Sequence, residues 1–337
     1  MGNHIDNIRL TAAEIATFWT QYQNDSMASC MLSYFSAKAE DNEIKEIIDS
    51  ALAMSQNSIR FISGIFTEEG FAVPQGFSEN DVNLNAPRLF DDLFSLNYIK
   101  NMARVGLAAA GLGLSILVRN DVRQFYQSHL TQTATLDAMV TQLMLSKGIY
   151  VRSPYIPPAK EVHFVKTQDF LGGFFEGQRP LNAIEITHLF INTQTNLIGK
   201  ALIMGFSQVV NSGQVREYFL RGKAIAEKHI ELFSNRFSEE DLPSPQTLDS
   251  LITASTVPPL SDKLMMFHVT ALIAAGIGNY GAAFAVSQRY DLGAQYTRLA
   301  AEIVLYANDG VNIMIENGWL EEAPQAVNRR ELAMATT

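Results

Sequence analysis

The chain has 337 residues, 47% hydrophobic and 18% charged, which marks a globular protein and excludes a disordered one. A net charge of −10 with scattered basic residues argues against a nucleic-acid surface, and the single cysteine, Cys30, excludes an internal disulfide framework and fits the reducing cytoplasm. The polar start MGNHID is no signal peptide, and Asp6 breaks the myristoylation pattern.

Slid along itself by 171 positions, the sequence falls into register with itself. LTAAEI (10–15) lies on LNAIEI (181–186), Phe35 and Ser36 on Phe206 and Ser207, and Glu68 and Glu69 on Glu239 and Glu240. Pro87, Leu89, Asp91 and Leu93 fall on Pro258, Leu260, Asp262 and Leu264. A one-residue deletion then moves the offset to 170, which aligns Arg119, Asp121, Tyr126, Met144, Gly148 and Pro154 with Arg289, Asp291, Tyr296, Met314, Gly318 and Pro324. A period this long is a domain, not a solenoid unit of about 20–50 residues. The expected division is a first unit over 1–153, a linker over 154–180 and a second unit over 181–337.

In chain order, each half reads as four helices. Helix A begins at a capping box, Thr11 with Glu14 and Asn182 with Glu185, where cap and glutamate each satisfy the other's amide. Helix B runs from about Asn42 to Phe66 and from Gly213 to Phe237. An acidic, proline-bearing connection of roughly 22 residues follows, long enough to travel the length of a bundle. Helix C starts after Pro87 and Pro259. It carries Gly106, Gly111 and Gly113 in one copy and Gly276, Gly278 and Gly281 in the other, read as close helix approach or as room for a ligand beside Asn279 and Tyr280. Residues 264–286 have no charge apart from any proton on His268, and would span a bilayer by length. The counterpart at 105–118 is too short to do so, and both are read as the most buried helix of a bundle. Asp121 and Asp291 read as N-caps of helix D, which ends at Gly148 and Gly318. The linker is stiff at PYIPP, and its Tyr155, Phe164, Phe170, Phe174 and Phe175 are expected to bury against the bundles and tie them into one unit. The pattern predicts an all-α chain of two tandem four-helix bundles with one long connection each, which is the ferritin-like arrangement.

No phosphate loop, nucleophile elbow, HExxH or CxxC is present. Metal-carrying ferritin-like bundles place glutamates and Glu-x-x-His motifs inward. The second half offers EITH (185–188), His229 on helix B, His268 on helix C and Glu302 on helix D. At about 1.5 Å per residue, His188, His229 and Glu302 share a layer if the B–C connection crosses over, and His268 replaces Glu302 if it merely turns. The candidate ligands are therefore His188, His229, His268 and Glu302, with iron, manganese or zinc as the metals this chemistry suits. Their first-half counterparts in this alignment are Thr17, Ser58, Asn97 and Gln132 respectively, none a strong ligand. Glu185 is already explained as a capping residue.

RPLNAIEI (179–186), GFSQVV (205–210), SDKLMMFH (261–268), GNYG (278–281) and MIENGW (314–319) resemble the family catalogued as domain of unknown function 3231, over nearly the whole chain and in both copies. The resemblance implies tandem ferritin-like bundles in spore-forming bacteria, similar to coat-F-type spore coat proteins, and no established activity. With the absent catalytic motifs it favours a non-enzymatic structural or interaction protein linked to sporulation, cytoplasmic or spore-associated, with spore coat proteins as partners; apolar area left uncovered on the linker and helix surfaces adds a second copy of the chain as an expected partner. A metal-binding or metal-dependent oxidoreductase bundle is the alternative. No membrane span and no nucleic-acid partner are expected.

Overall fold

The computed structural model describes residues 8–172 and 178–334. MGNHID, Phe174 and Phe175 lie outside them. The first half holds α1 (Ala12–Lys38), α2 (Asn42–Glu68), α3 (Asp92–Ile116) and α4 (Asn120–Ser146). The second holds α5 (Ala183–Val209), α6 (Gly213–Ser238), α7 (Asp262–Val286) and α8 (Tyr290–Glu316), followed by the short α9 (Arg329–Met334). Among the described residues there are short 3-10 turns and two isolated β-bridges besides, and no strand.

The helix directions follow from who caps whom. Buried Glu14, near the start of α1, accepts the amides of Val118 and Arg119 that open α4, so these two helices begin at one end. Asp92, at the start of α3, accepts the amides of Glu40 and Asp41 that open α2 at the other end. Lys147, just past α4, pairs there with Asp41 and Glu43. The connection between α2 and α3 therefore crosses the full bundle, about 40 Å for a 27-residue helix. The second half repeats the scheme: Glu185 takes the amides of Gln288 and Arg289, and Asp262 those of Asn211 and Ser212.

The predicted capping boxes are present. Asn182 Oδ1 accepts from Glu185 N while Glu185 Oε2 accepts from Asn182 N, and Thr11 donates through both its amide and its hydroxyl to Glu14 Oε2. Gly148 and Gly318 take the left-handed conformation just past α4 and α8. Asp121 and Asp291 are not the N-caps expected. Arg119 and Arg289 occupy those positions, and each aspartate instead sits in the first turn and holds its arginine.

The register also differs from the alignment above. Ala12 and Ala183 open equivalent helices at an offset of 171, but Asp92 and Asp262 open α3 and α7 at 170, as do the 3-10 turns beginning at Glu79 and Asp249. The deletion thus falls before Glu79. The equivalent of Asp262 is Asp92, not Asp91, and that of His268 is Tyr98, not Asn97.

The two crossovers pair with each other. Asn83 N donates to Pro259 O and Thr253 N to Leu89 O. Asp91 N donates to Leu251 O and Ser261 N to Asp81 O. These are two symmetric pairs, as a pseudo-two-fold axis between the halves requires. Phe90 reaches across so closely that a Cβ on Gly205 would lie 2.8 Å from its ring. The repeat exchanges sizes here: Tyr34 and Leu260 stand where the other copies have Gly205 and Phe90. One core runs through both halves, from Phe35, Phe94 and Tyr98 to Phe206, Phe219 and Met265.

Two expectations fail on burial. α7 is not the most buried helix. Its first turns are buried, from Leu264 to Val269, but its apolar middle faces a groove and Phe284 and Val286 are exposed; α5 is the more buried. Among the described residues α7 is the one helix long and apolar enough to cross a membrane by length and composition. In the linker, Tyr155 and Phe164 are 80% and 82% exposed, so they do not bury against the bundles. Of its described aromatics Phe170 is partly covered, by the Arg179 guanidinium at 4.2 Å. The crossovers, and not these aromatics, join the halves.

Candidate functional site

Each half has a polar cluster in an otherwise apolar bundle centre, and the two clusters differ. In the second half, α6 carries His229 inward, α7 Tyr280, α8 Glu302 and α5 Asn196. His229 Nδ1 lies 2.8 Å from Tyr280 Oη and Nε2 lies 3.1 Å from Glu302 Oε2. Asn196 Nδ2 donates to the same tyrosine oxygen at 2.9 Å. The pattern is self-consistent if Nε2 carries the proton: it donates to the carboxylate, and Nδ1 accepts from the tyrosine hydroxyl. Burial pushes the imidazole below its ordinary pKa and outweighs the opposing pull of Glu302, so the ring is neutral. Lys228 neutralises Glu302 from outside at 2.8 Å. A cavity of about 70 Å³ lies beside His229, lined also by Gly222 and Gly276.

Of the four ligand candidates the fold brings together only His229 and Glu302; the crossover topology led to the expectation of His188 in the same layer, and its ring does not join them. Both imidazole nitrogens are engaged, so a metal would have to displace one partner. His268 sits on the pseudo-two-fold axis: its Nε2 meets Tyr98 Oη, the equivalent residue of the other half, at 3.2 Å. Burial holds its pKa down to about 3, and Nδ1 has no hydrogen-bond partner among the described residues. The His188 carbonyl accepts from Asn192, and its half-buried ring joins no other candidate. Among the described residues no group of three or more His, Cys, Asp or Glu side chains is placed to hold a metal.

Glu185 of EITH is wholly structural. It is fully buried, held by Arg179 at 2.8 Å through both oxygens and by the amides above. Burial raises its carboxyl, but Arg179 and the amides more than offset this and keep it below the ordinary range. Beside it, Arg289 is 1% exposed and bonds Asp291 and Glu240, as Arg119 bonds Asp121 and Glu69.

The sequence reading missed the first half's cluster. Asp25 of α1 stands where α5 has Asn196. Gln21 donates to it at 2.6 Å, and His129 of α4 lies 3.5 Å beyond Gln21. Burial pushes the Asp25 carboxyl up to about 7 against the hydrogen bonds of Gln21, Ser55 and Ser58. Asp25 and Tyr98 line an apolar groove of about 480 Å³ between α1, α3 and the middle of α7. Comparing the two copies for charge present in one and absent in the other would have found it.

The family model described as Protein of unknown function (DUF3231) matches residues 2–162 and again 169–332. A solved structure of a candidate spore coat protein from Bacillus halodurans C-125 is similar, with 17% identity over 47% of this chain and all of that one, at a TM-score of 0.39. No curated protein matches. Two tandem matches over almost the whole length, on two equivalent helical bundles, place the chain in the DUF3231 family of proteins of unknown function.

Proposed function

We propose that the protein is a non-enzymatic structural and interaction protein associated with the spore coat, cytoplasmic or spore-bound, with itself or coat proteins as partners. The observation that supports this is the joining of the halves: paired crossovers and one continuous core make two bundles into one body with two far ends. Apolar side chains are exposed toward those ends, Ile116 and Val118 in one half, Phe284 and Tyr290 in the other, available for contacts with other chains. The link to spores comes from the sequence resemblance. Deleting the gene and scoring spore resistance and coat composition tests it; altered coats are expected, and an unchanged spore contradicts it. Light scattering against the 37.3 kDa chain mass tests self-association.

A second reading, metal binding in the second bundle, is supported by the one pair the fold brings together, His229 and Glu302. Its test is elemental analysis of the purified protein with and without His229→Ala and His188→Ala. Stoichiometric metal lost with His229 supports it, and trace metal indifferent to both ends it.

A further inference from the structure

The pseudo-two-fold axis relates two grooves, and the repeat has given them opposite chemistry. The apolar groove between α7 and α1 is lined by Phe267, Thr270, Ala271 and Ala274, with Gln23 opposite. Its counterpart between α3 and α5, about 280 Å³, carries Asn97, Lys100, Asn101 and Arg104 at the same four places, with Gln194 opposite. That volume is close to the lower end of small-molecule sites, about 300–1,000 Å³.

Arg104 is the unusual group. Its guanidinium is held by neutral partners, Asn101 Oδ1 at 2.6 Å, Gln194 Oε1 at 3.1 Å and Thr195 Oγ1 at 3.5 Å. Among the described residues no carboxylate lies within ion-pair distance of it. The one acid lining the groove, Asp137, is bound to Lys100 at 2.7 Å. Two cations and one anion leave the groove one positive charge in excess. Asn101 is 1% exposed, and its Nδ2 has no hydrogen-bond partner among the described residues although Asn101 lines the groove. An unpaired buried donor beside a guanidinium that has hydrogen bonds but no counter-ion is costly unless an anion accepts from both.

The other half shows what accepts there. Gln23, the equivalent of Gln194, donates to Glu321 Oε2 at 2.7 Å, and the same carboxylate takes the amides of Gln75 and Gly76. In the cationic groove the equivalent of Glu321 is Val151 and that of Gln75 is Gln246, and both line it. One copy thus closes this position with its own carboxylate. The other replaces the carboxylate with valine and adds an arginine.

We propose that the groove between α3 and α5 binds a small organic carboxylate. Its charge sits on Arg104 and the Asn101 amide, and its apolar body packs on Leu107, Leu197 and Ile198. The assignment goes beyond the structural role proposed above and is independent of it.

Titration calorimetry with benzoate and hexanoate as probes, and benzamide and inorganic phosphate as controls, tests the site on the full chain. Saturable binding of a carboxylate probe with a Kd of about 1 mM or tighter is expected, weakened at least about tenfold by Arg104→Ala, the residue type the other half carries. Should that variant fold poorly, Val151→Glu at an exposed position supplies the missing carboxylate internally. It is expected to raise the melting temperature and to block the probe. No saturable binding of either carboxylate, binding of benzamide or phosphate in their place, or binding indifferent to both substitutions overturns the proposal.

Discussion

Asp25 lies inside the first bundle with its carboxyl raised to about 7 by burial, where the second bundle has Asn196. An acid whose folded pKa exceeds its unfolded value of 3.8 keeps its proton in the native state after the unfolded chain has lost it. Stability therefore falls as pH rises from about 4 to about 7, by at most about 1.4 kcal/mol per pH unit, and stays lowered above that. Asp25→Asn is expected to raise the melting temperature at pH 8 by several degrees, to leave it nearly unchanged at pH 4, and to flatten the slope between. Thermal melts across that range check it; an unchanged slope contradicts it. At the axis, Tyr98 and His268 hold one hydrogen bond between them in an apolar core. Removing either partner alone should cost about 1–3 kcal/mol, because the other is left unsatisfied, whereas Tyr98→Phe with His268→Phe together should cost clearly less than the sum. A double-mutant cycle by urea unfolding measures this.

At the scale of elements, α6 and α8 meet through reciprocal tyrosines. The rings of Tyr218 and Tyr306 stack at 4.2 Å, and each hydroxyl donates to the other's carbonyl. Each hydroxyl lies over a glycine, Gly222 or Gly310, where a Cβ would collide with it. Gly222→Ala gains helix propensity of up to about 1 kcal/mol but pushes Tyr306 off its partner. A net loss of about 1–3 kcal/mol is expected, readable by denaturant unfolding. The helices themselves were legible in the sequence, because caps, glycines and proline-bearing connections are local signals repeated twice. The position of the deletion was not. Asp91 and Asp92 both resemble Asp262, and the helix starts, with the capping of the preceding helix by Asp92 and by Asp262, show that Asp92 is the equivalent. The burial of α7 is not legible either, since apolar composition does not say whether a helix faces the core or a groove. His229 with Glu302 was within reach of depth arithmetic. Asp25 and Arg104 were not, because each looks like an ordinary polar residue until its counterpart in the other half is set beside it.

For the whole molecule, two units and a tether are legible in the sequence; the pairing of the crossovers is not, because no local pattern encodes it. The linker is exposed at Tyr155, Val162 and Phe164. Protease is therefore expected to nick it readily within 152–166, yet the two fragments should co-elute in size exclusion and separate only in denaturant. Fragments that part on cleavage would contradict this. The two bundles are expected to unfold as one cooperative body across the pseudo-two-fold axis. The two tryptophans report on different places: Trp19 packs on a cluster within the first half, and Trp319, of the second half, packs on the core the two halves share. Urea unfolding of Trp319→Phe and Trp19→Phe, each followed by its remaining fluorophore, measures this cooperativity. Once each variant's own shift, measured by circular dichroism, is taken out, coincident transitions with one midpoint are predicted. Two separated midpoints, with one half unfolding while the other stays native, would contradict it.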